Sequence, residues 1–210
     1  IIKKYFTNDL FFKKIIKKKN DKRIKAEYKK IKKLKNMIRF VYQETPRGTG
    51  DAVLKCKKYI KSKNFLMLLP DDLILNKNCS SSMIKLYKKY NSSVIATMRV
   101  KKHEVNRWGI FEIKKFVNKD FLINDVVEKP SIKSAPSNNA VIGRYILPKK
   151  IFKILKYQKK GKGGEVHITD SIKTLISQDN LFIGHKFKGK YLDCGTIKGY
   201  INSALEISKS

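Results

Sequence analysis

The chain has 210 residues, enough for one domain with a sizeable core, and carries 49 Lys plus Arg against 17 Asp plus Glu, a formal charge of +32. No apolar stretch in it approaches the ~20 residues of a membrane span and no secretory signal is visible. Its three cysteines, Cys56, Cys79 and Cys194, are odd in number and lack metal-ligand spacing, which argues against a disulfide scaffold or a zinc module and fits a reduced, cytoplasmic setting.

The charge alone suggests a nucleic-acid binder. The residue types argue otherwise. Only six of the basic residues are Arg (Arg23, Arg39, Arg47, Arg99, Arg107, Arg144), the side chain whose planar fork reads bases and phosphates. Lys is spread along the whole length beside abundant Ile and Asn, as an A- and T-rich coding bias produces on solvated faces. Such a surface attracts polyanions at low salt but specifies no nucleic acid.

In chain order, residues 9–36 read as helical, with Ile24, Tyr28, Ile31 and Leu34 recurring on one face. Residues 38–42 alternate as a strand does. A loop over Gln43–Gly50 leads to a helix over 51–61. Phe65–Leu69 is a short apolar run, the pattern of a strand buried on both faces, and it leads into Pro70, Asp71 and Asp72. Ser80–Ser82 offer a cap for a helix to Tyr90, followed by strands over 94–100, 109–113, 122–127 and 141–147. Pro148 suits the first turn of a helix, 157–164 form a Lys- and Gly-rich loop, and Thr169 is placed to cap a helix through Ser177. A strand over 181–187 and a helix from Thr196 complete the chain. Strands alternate with helices early and cluster later, which predicts a single α/β domain over 1–210 with a mostly parallel sheet and a β-rich insertion.

A carboxylate at the carboxyl end of a buried strand lies where open α/β sheets bind ligands, so Asp71 is a candidate for holding a metal beside a phosphate, although Asp71 and Asp72 also fit a simple turn. In the Gln43–Gly50 loop, glycines permit close approach of a ligand to the backbone, and Gln43 carries the donor and acceptor that suit a nucleobase edge.

Further motifs follow in a fixed order: Trp108-Gly109-Ile110, Val126-Val127-Glu128-Lys129-Pro130, Asn139 to Leu147 (NAVIGRYIL), Gly164 to Asp170 (GEVHITD), and Gly189 to Gly195 (GKYLDCG). The series resembles the bacterial UTP–glucose-1-phosphate uridylyltransferases of the nucleotidyltransferase superfamily, over almost the whole chain. The resemblance implies a Rossmann-like three-layer α/β/α sandwich with a mixed sheet and a sugar-binding β-rich insertion. It implies that Gln43 and the Gly48 backbone read uracil, and that Gly109, Glu128 and Gly143 meet the sugar. Asp71 and Lys129 are implied as the catalytic groups, Lys129 on the sugar phosphate, with Asp71 and Asp193 holding Mg²⁺. His167 and Glu165 suit a support of the sugar pocket and a helix entry equally well, and Lys190 suits either a phosphate contact or one more solvated lysine. The implied substrates are UTP and glucose 1-phosphate and the implied assembly a homo-oligomer, with no membrane partner.

Two departures stand out. The family's opening strand with its G-x-G-T-R-x-x-P loop and K-E-M-L-P motif does not occur in these residues, and Asp51 stands where relatives often carry His. The expectation is a chain lacking its N-terminal strand, inactive alone and poorly stable. A sister enzyme such as a thymidylyltransferase is the alternative, since Gln43 with Gly48 does not separate uracil from thymine; a noncatalytic basic nucleic-acid binder is the more distant one.

Overall fold

The computed structural model describes residues 2–7, 10–19 and 21–209. They fall into two units, one ending at Tyr42 and one beginning at Gln43.

The first unit is helical: α1 (Ile2–Thr7), α2 (Leu10–Lys19) and α3 (Lys22–Lys35). The helix expected over 9–36 is thus broken, and its positions 9 and 20 lie outside the described residues. Asp21 starts a new helix because its carboxylate accepts from the N–H groups of Arg23 (2.6 Å) and Ile24 (3.3 Å), donors that have no partner inside a first turn. Ile24, Tyr28 and Ile31 are half-buried as the spacing predicts, whereas Leu34 is exposed. Residues 38–42 form no strand, because no ladder partner pairs with them among the described residues.

The second unit is an α/β sandwich. Its sheet has the order β1 (Asn64–Leu68), β6 (Asn139–Pro148), β3 (Ser93–Arg99), β7 (Phe182–Lys186), β5 (Asp120–Glu128), β4 (Gly109–Val117). Helices α4 (Thr49–Lys55), α6 (Ile151–Tyr157) and α7 (Ile168–Ser177) pack on one face and α5 (Cys79–Tyr90) on the other. Strand alternation supplies both cores. On β6, Val141, Tyr145 and Leu147 face the first layer, while Ile142 and Ile146 face α5.

The sheet is mixed, as expected, but the balance of directions is not the mostly parallel one. Only β3–β7 pair parallel among the described residues. Helix α5 carries the chain from β1 to a β3 of the same direction, yet β6 enters between them running against both. The expected insertion is a β4–β5 hairpin that extends this same sheet through β5–β7. A second, two-stranded ribbon joins β2 (Asp72–Leu75) to β8 (Lys190–Asp193), pieces too short to show an alternation in the sequence.

Several local expectations change for physical reasons. Strand β1 lies at the sheet edge, so Phe65 and Met67 enter the core while Leu66 and Leu68 stay 38% and 49% exposed. Asn78, not a serine, caps α5, accepting from Ser81 N–H at 2.9 Å. Pro148 ends β6 opposite Asn64, where a missing N–H is tolerated, and α6 begins three residues later. Thr169 caps nothing: α7 starts behind His167 without a side-chain cap.

A buried Ser–His–Asp row ties α5 to the sheet. His185 Nδ1 lies 2.9 Å from Asp120 Oδ1, and its Nε2 lies 2.8 Å from Ser82 Oγ. Ser82 Oγ also donates to the carbonyl of Cys79, and Asp120 accepts from Lys186 N–H. The row spans the sheet-to-helix seam, with His185 only 1% exposed, so it acts as a clamp.

Candidate active site

The chain reverses at the end of β1. Leu69 N–H donates to Gly143 O at 2.8 Å, and the turn Pro70–Asp71 feeds β2, whose Asp72 stands opposite Asp193 in the ribbon. Cys194 N–H closes the ribbon on the carbonyl of Asp71 (2.8 Å). Two acids far apart in sequence are thereby brought to one place. The gap between them is kept open by Gly195, where a Cβ would stand 2.9 Å from Asp71 Oδ2 and 3.2 Å from Asp193 Oδ1.

This corner opens into a cleft of about 490 Å³ lined by Asp71, Gly109, Glu128, Lys129, Gly143 and Asp193, six of the eight site residues expected from the sequence. Glu165, His167 and Thr169 line it too. The cleft is acidic in an otherwise lysine-coated protein: Asp71, Asp72, Glu128, Glu165 and Asp193 face only Arg107 and Lys129 as cations. Lys190 is not among them, being ion-paired with Glu206.

Each group is held differently. The Asp71 carboxylate takes no hydrogen bond or ion pair among the described residues and is exposed, a charge ready for a cation. Asp193 is pinned by Arg107 Nη2 at 3.0 Å and by Gly195 N–H at 2.9 Å. Arg107 in turn lies over the Trp108 ring, 5.5 Å from its centroid. Glu128, at the end of β5, accepts from Thr169 Oγ1 at 2.8 Å, so the threonine expected to cap α7 fixes an acid of the cleft instead. Lys129 has a φ of +46°, unusual for a side-chain-bearing residue and more so ahead of Pro130. Two bonds sustain that turn: Lys129 N–H donates to Trp108 O at 3.0 Å, and the Lys162 ammonium caps the Lys129 carbonyl.

Beneath the cleft lies Asp72, 7% exposed. Its carboxylate accepts from Gly143 N–H and from the Tyr191 hydroxyl. Burial pushes its pKa up, the Tyr191 and Gly143 bonds pull it down, and Asp71 and Asp193 push it up further. Burial and Asp72 also raise the Tyr191 phenol, which therefore stays a donor. Gly143 is consequently a glycine for reasons of space: a Cβ would come 2.3 Å from Asp72 Oδ2 and 2.5 Å from Leu69 Cβ. Its N–H belongs to Asp72 and its carbonyl accepts from Leu69.

Gln43 and Gly48 do not line the cleft but lie beside it. The loop is zipped to the strip before α7: Val166 N–H donates to Arg47 O (2.7 Å), Gly50 N–H to Val166 O (2.8 Å), and Ile168 N–H to Thr49 Oγ1 (3.2 Å). Gly48, with φ +101°, could not carry a side chain there, since a Cβ would stand 2.6 Å from Val166 O. Arg107, Thr169, Asp72 and Tyr191 were not readable as site residues. Their partners in the cleft lie 41 to 119 positions away in the sequence, and only the adjacency of Arg107 to the Trp-Gly-Ile motif and of Thr169 to the E-x-x-x-T-D motif hinted at two of them.

Mg²⁺ is bound by one or two protein carboxylates with water and substrate phosphates completing the shell. Asp71 and Asp193, on either side of the Gly195 gap, are the two carboxylates of the cleft that could serve in this way; among the described residues no group of three or more metal-binding side chains is found.

A model of the nucleotidyl transferase family matches residues 7–210. The chain belongs to that family. A UTP–glucose-1-phosphate uridylyltransferase of Pseudomonas aeruginosa is 38% identical over 178 residues, covering 82% of this chain and 63% of the relative. UTP–glucose-1-phosphate uridylyltransferase 2 of Streptococcus pyogenes is 38% identical over 175 residues, with 80% and 58% covered. The chain thus spans less than two thirds of the length of these curated relatives. Among solved structures, a UDP-glucose pyrophosphorylase complexed with UDP-glucose is similar at a TM-score of 0.77 and 38% identity, covering 81% of this chain and 66% of that one. An apo UDP-glucose pyrophosphorylase is similar at 0.85 and 33%, covering 99% and 77%. No described helix is long and apolar enough to cross a membrane.

Proposed function

We propose that this nucleotidyl transferase serves uridylyl transfer from UTP to glucose 1-phosphate, giving UDP-glucose and pyrophosphate, and that the acidic cleft is its acceptor and metal site. The observation that carries the reading is the convergence of Asp71, the Glu128–Lys129 pair and Asp193 on one cleft from three separate stretches of sequence. The curated relatives' names support the same reaction.

In the transfer, a phosphate oxygen of the sugar attacks the α-phosphorus of UTP, the new P–O bond forms in line with the one that breaks, and pyrophosphate leaves. The attacking oxygen is already ionised, so no protein base is required; positioning and charge do the catalysis. Lys129, held in its strained turn, offsets the repulsion between two anions. Glu128, oriented by Thr169, accepts from sugar hydroxyls, and Gly109 and Gly143 keep the walls bare enough for the ring. Asp71 and Asp193 would hold Mg²⁺, which when bound gathers phosphate oxygens and spreads the transition-state charge. Gln43 offers its free Oε1 to the base.

Calorimetric titration of the chain with UDP-glucose and Mg²⁺ tests the assignment. Wild type is expected to bind, and Asp71→Asn to lose about tenfold or more in the Mg²⁺-dependent part of the affinity while its melting temperature is kept. Binding that ignores both Mg²⁺ and Asp71→Asn refutes the site.

A further inference from the structure

Gln43 sits at the mouth of the glycine loop with a side-chain amide that has two faces, a donor –NH₂ and an acceptor oxygen. An amide free to rotate presents either face and reads a nucleobase poorly. Here it is not free. Its Nε2 lies 2.7 Å from Asp51 Oδ2 and 3.2 Å from the Gly48 carbonyl. Both partners are acceptors only, so the –NH₂ must face them and Oε1 must face away.

Asp51 can do this because of where it stands. It lies in the first turn of α4, where a carboxylate is favoured by the free N–H groups and dipole of the helix. It is 9% exposed, and its other ion partner, Lys55, is 4.0 Å away, so its hydrogen bond to Gln43 is the close one. The Gly48 bond is weaker: it is longer, and the same carbonyl already accepts from Ala52 N–H at 3.2 Å.

We infer that Asp51 is a specificity-determining residue: by locking the Gln43 amide with its oxygen outward, it makes the loop select a base whose facing edge donates, as the N3–H of uracil does, over cytosine, whose N3 accepts. Against cytosine, Oε1 meets a lone pair and neither group has a donor to share. The inference rests on the proposal that Gln43 reads the base, and it adds what sets the direction of that reading.

The test compares UDP-glucose with CDP-glucose, which share sugar and diphosphate and differ in the base alone. Affinities are measured by calorimetry on the chain for wild type, Asp51→Asn, Asp51→Leu, Gln43→Ala and Lys55→Ala, each checked by thermal melt. Asn has nearly the shape of Asp but supplies a donor as readily as an acceptor, so it removes the lock and keeps the packing. The expected result is a fall of about tenfold or more in the UDP-glucose to CDP-glucose affinity ratio for Asp51→Asn and Asp51→Leu, mostly through tighter CDP-glucose binding. Lys55→Ala, which strips a charge neighbour of Asp51 without touching Gln43, keeps the ratio. A merely structural Asp51 weakens both ligands equally and leaves the ratio alone, and that outcome overturns the inference. If instead Gln43→Ala leaves the ratio unchanged, the base-reading role of Gln43 falls first and the inference falls with it. A ratio that moves with Gln43→Ala but not with either Asp51 variant sinks the inference alone.

Discussion

Replacing Tyr191 with Phe should expose the electrostatic strain under the cleft. The ring is retained, and with it the edge-on contact to Trp108 at 5.9 Å between centroids. What is lost is one hydroxyl that donates to the buried Asp72 carboxylate, leaving Gly143 N–H as its remaining donor. A hydrogen bond to a charged acceptor contributes about 1.5–3 kcal/mol, so the expected cost at neutral pH is about 2 kcal/mol, or about 4–8 °C in Tm for a domain of this size. The pH dependence follows from the direction of the shift. Asp72 is raised in the folded state, with burial as the leading cause. A carboxyl raised on folding contributes its stability fully below its unfolded pKa and loses it as pH rises through the folded pKa. Deleting the hydroxyl removes a contribution that lowers the pKa and raises it further. The penalty of Tyr191→Phe should therefore be smaller at pH ~4 than at pH ~7.5, since the hydroxyl contributes most when it donates to an ionised carboxylate. Urea titrations of wild type and variant at the two pH values measure this. An equal penalty at both, or one below about 0.5 kcal/mol at neutral pH, would refute the reasoning.

Thr169→Val keeps shape and burial but removes the donor to Glu128. Calorimetry should find UDP-glucose affinity lower by about three- to tenfold, with Tm moved by no more than about 3 °C. Gly143→Ala forces a methyl against Asp72 Oδ2 and Leu69, where no flexible end is available to yield. It should cost about 1–3 kcal/mol in denaturant titrations and disturb the Asp71 turn, so that Mg²⁺-dependent binding weakens along with stability.

The clefts of this protein also say something about its charge. With +32 over 210 residues, lysine covers nearly every solvated face, yet the candidate site is lined by five carboxylates and two cations. Drift in composition is tolerated where side chains meet only water. It is resisted where a charge has a partner or a ligand, and two of the six arginines, Arg107 and Arg144, hold Asp193 and the Asp72 carbonyl.

How much could be read in advance depended on range. Helix periodicity, the strand runs and the glycines of the Gln43–Gly50 loop are local signals, and they placed most elements within a few residues. The motif order gave Asp71, Gly109, Glu128, Lys129, Gly143 and Asp193, and these do meet in one cleft. The failures were equally physical. Asn78 in place of Ser80–Ser82, and Asp21 inside a supposed single helix, are competitions between neighbouring caps that propensity does not rank. Strand β1 was expected to be buried on both faces because an apolar run says nothing of its place in the sheet. Sheet direction was misjudged because β6 enters between β1 and β3 from far along the chain.

The sequence by itself therefore determined the elements, the loop that can approach a ligand and the chemical types gathered at the site, since each depends on residues within a turn or two of one another. Only the tertiary structure decided which groups are free and which are committed. Thr169 binds Glu128, Tyr191 binds Asp72, Arg107 binds Asp193, and Asp51 turns Gln43 outward. A hydrogen bond is set by distance and angle in space, and folding chooses those among many partners the same residue types would allow.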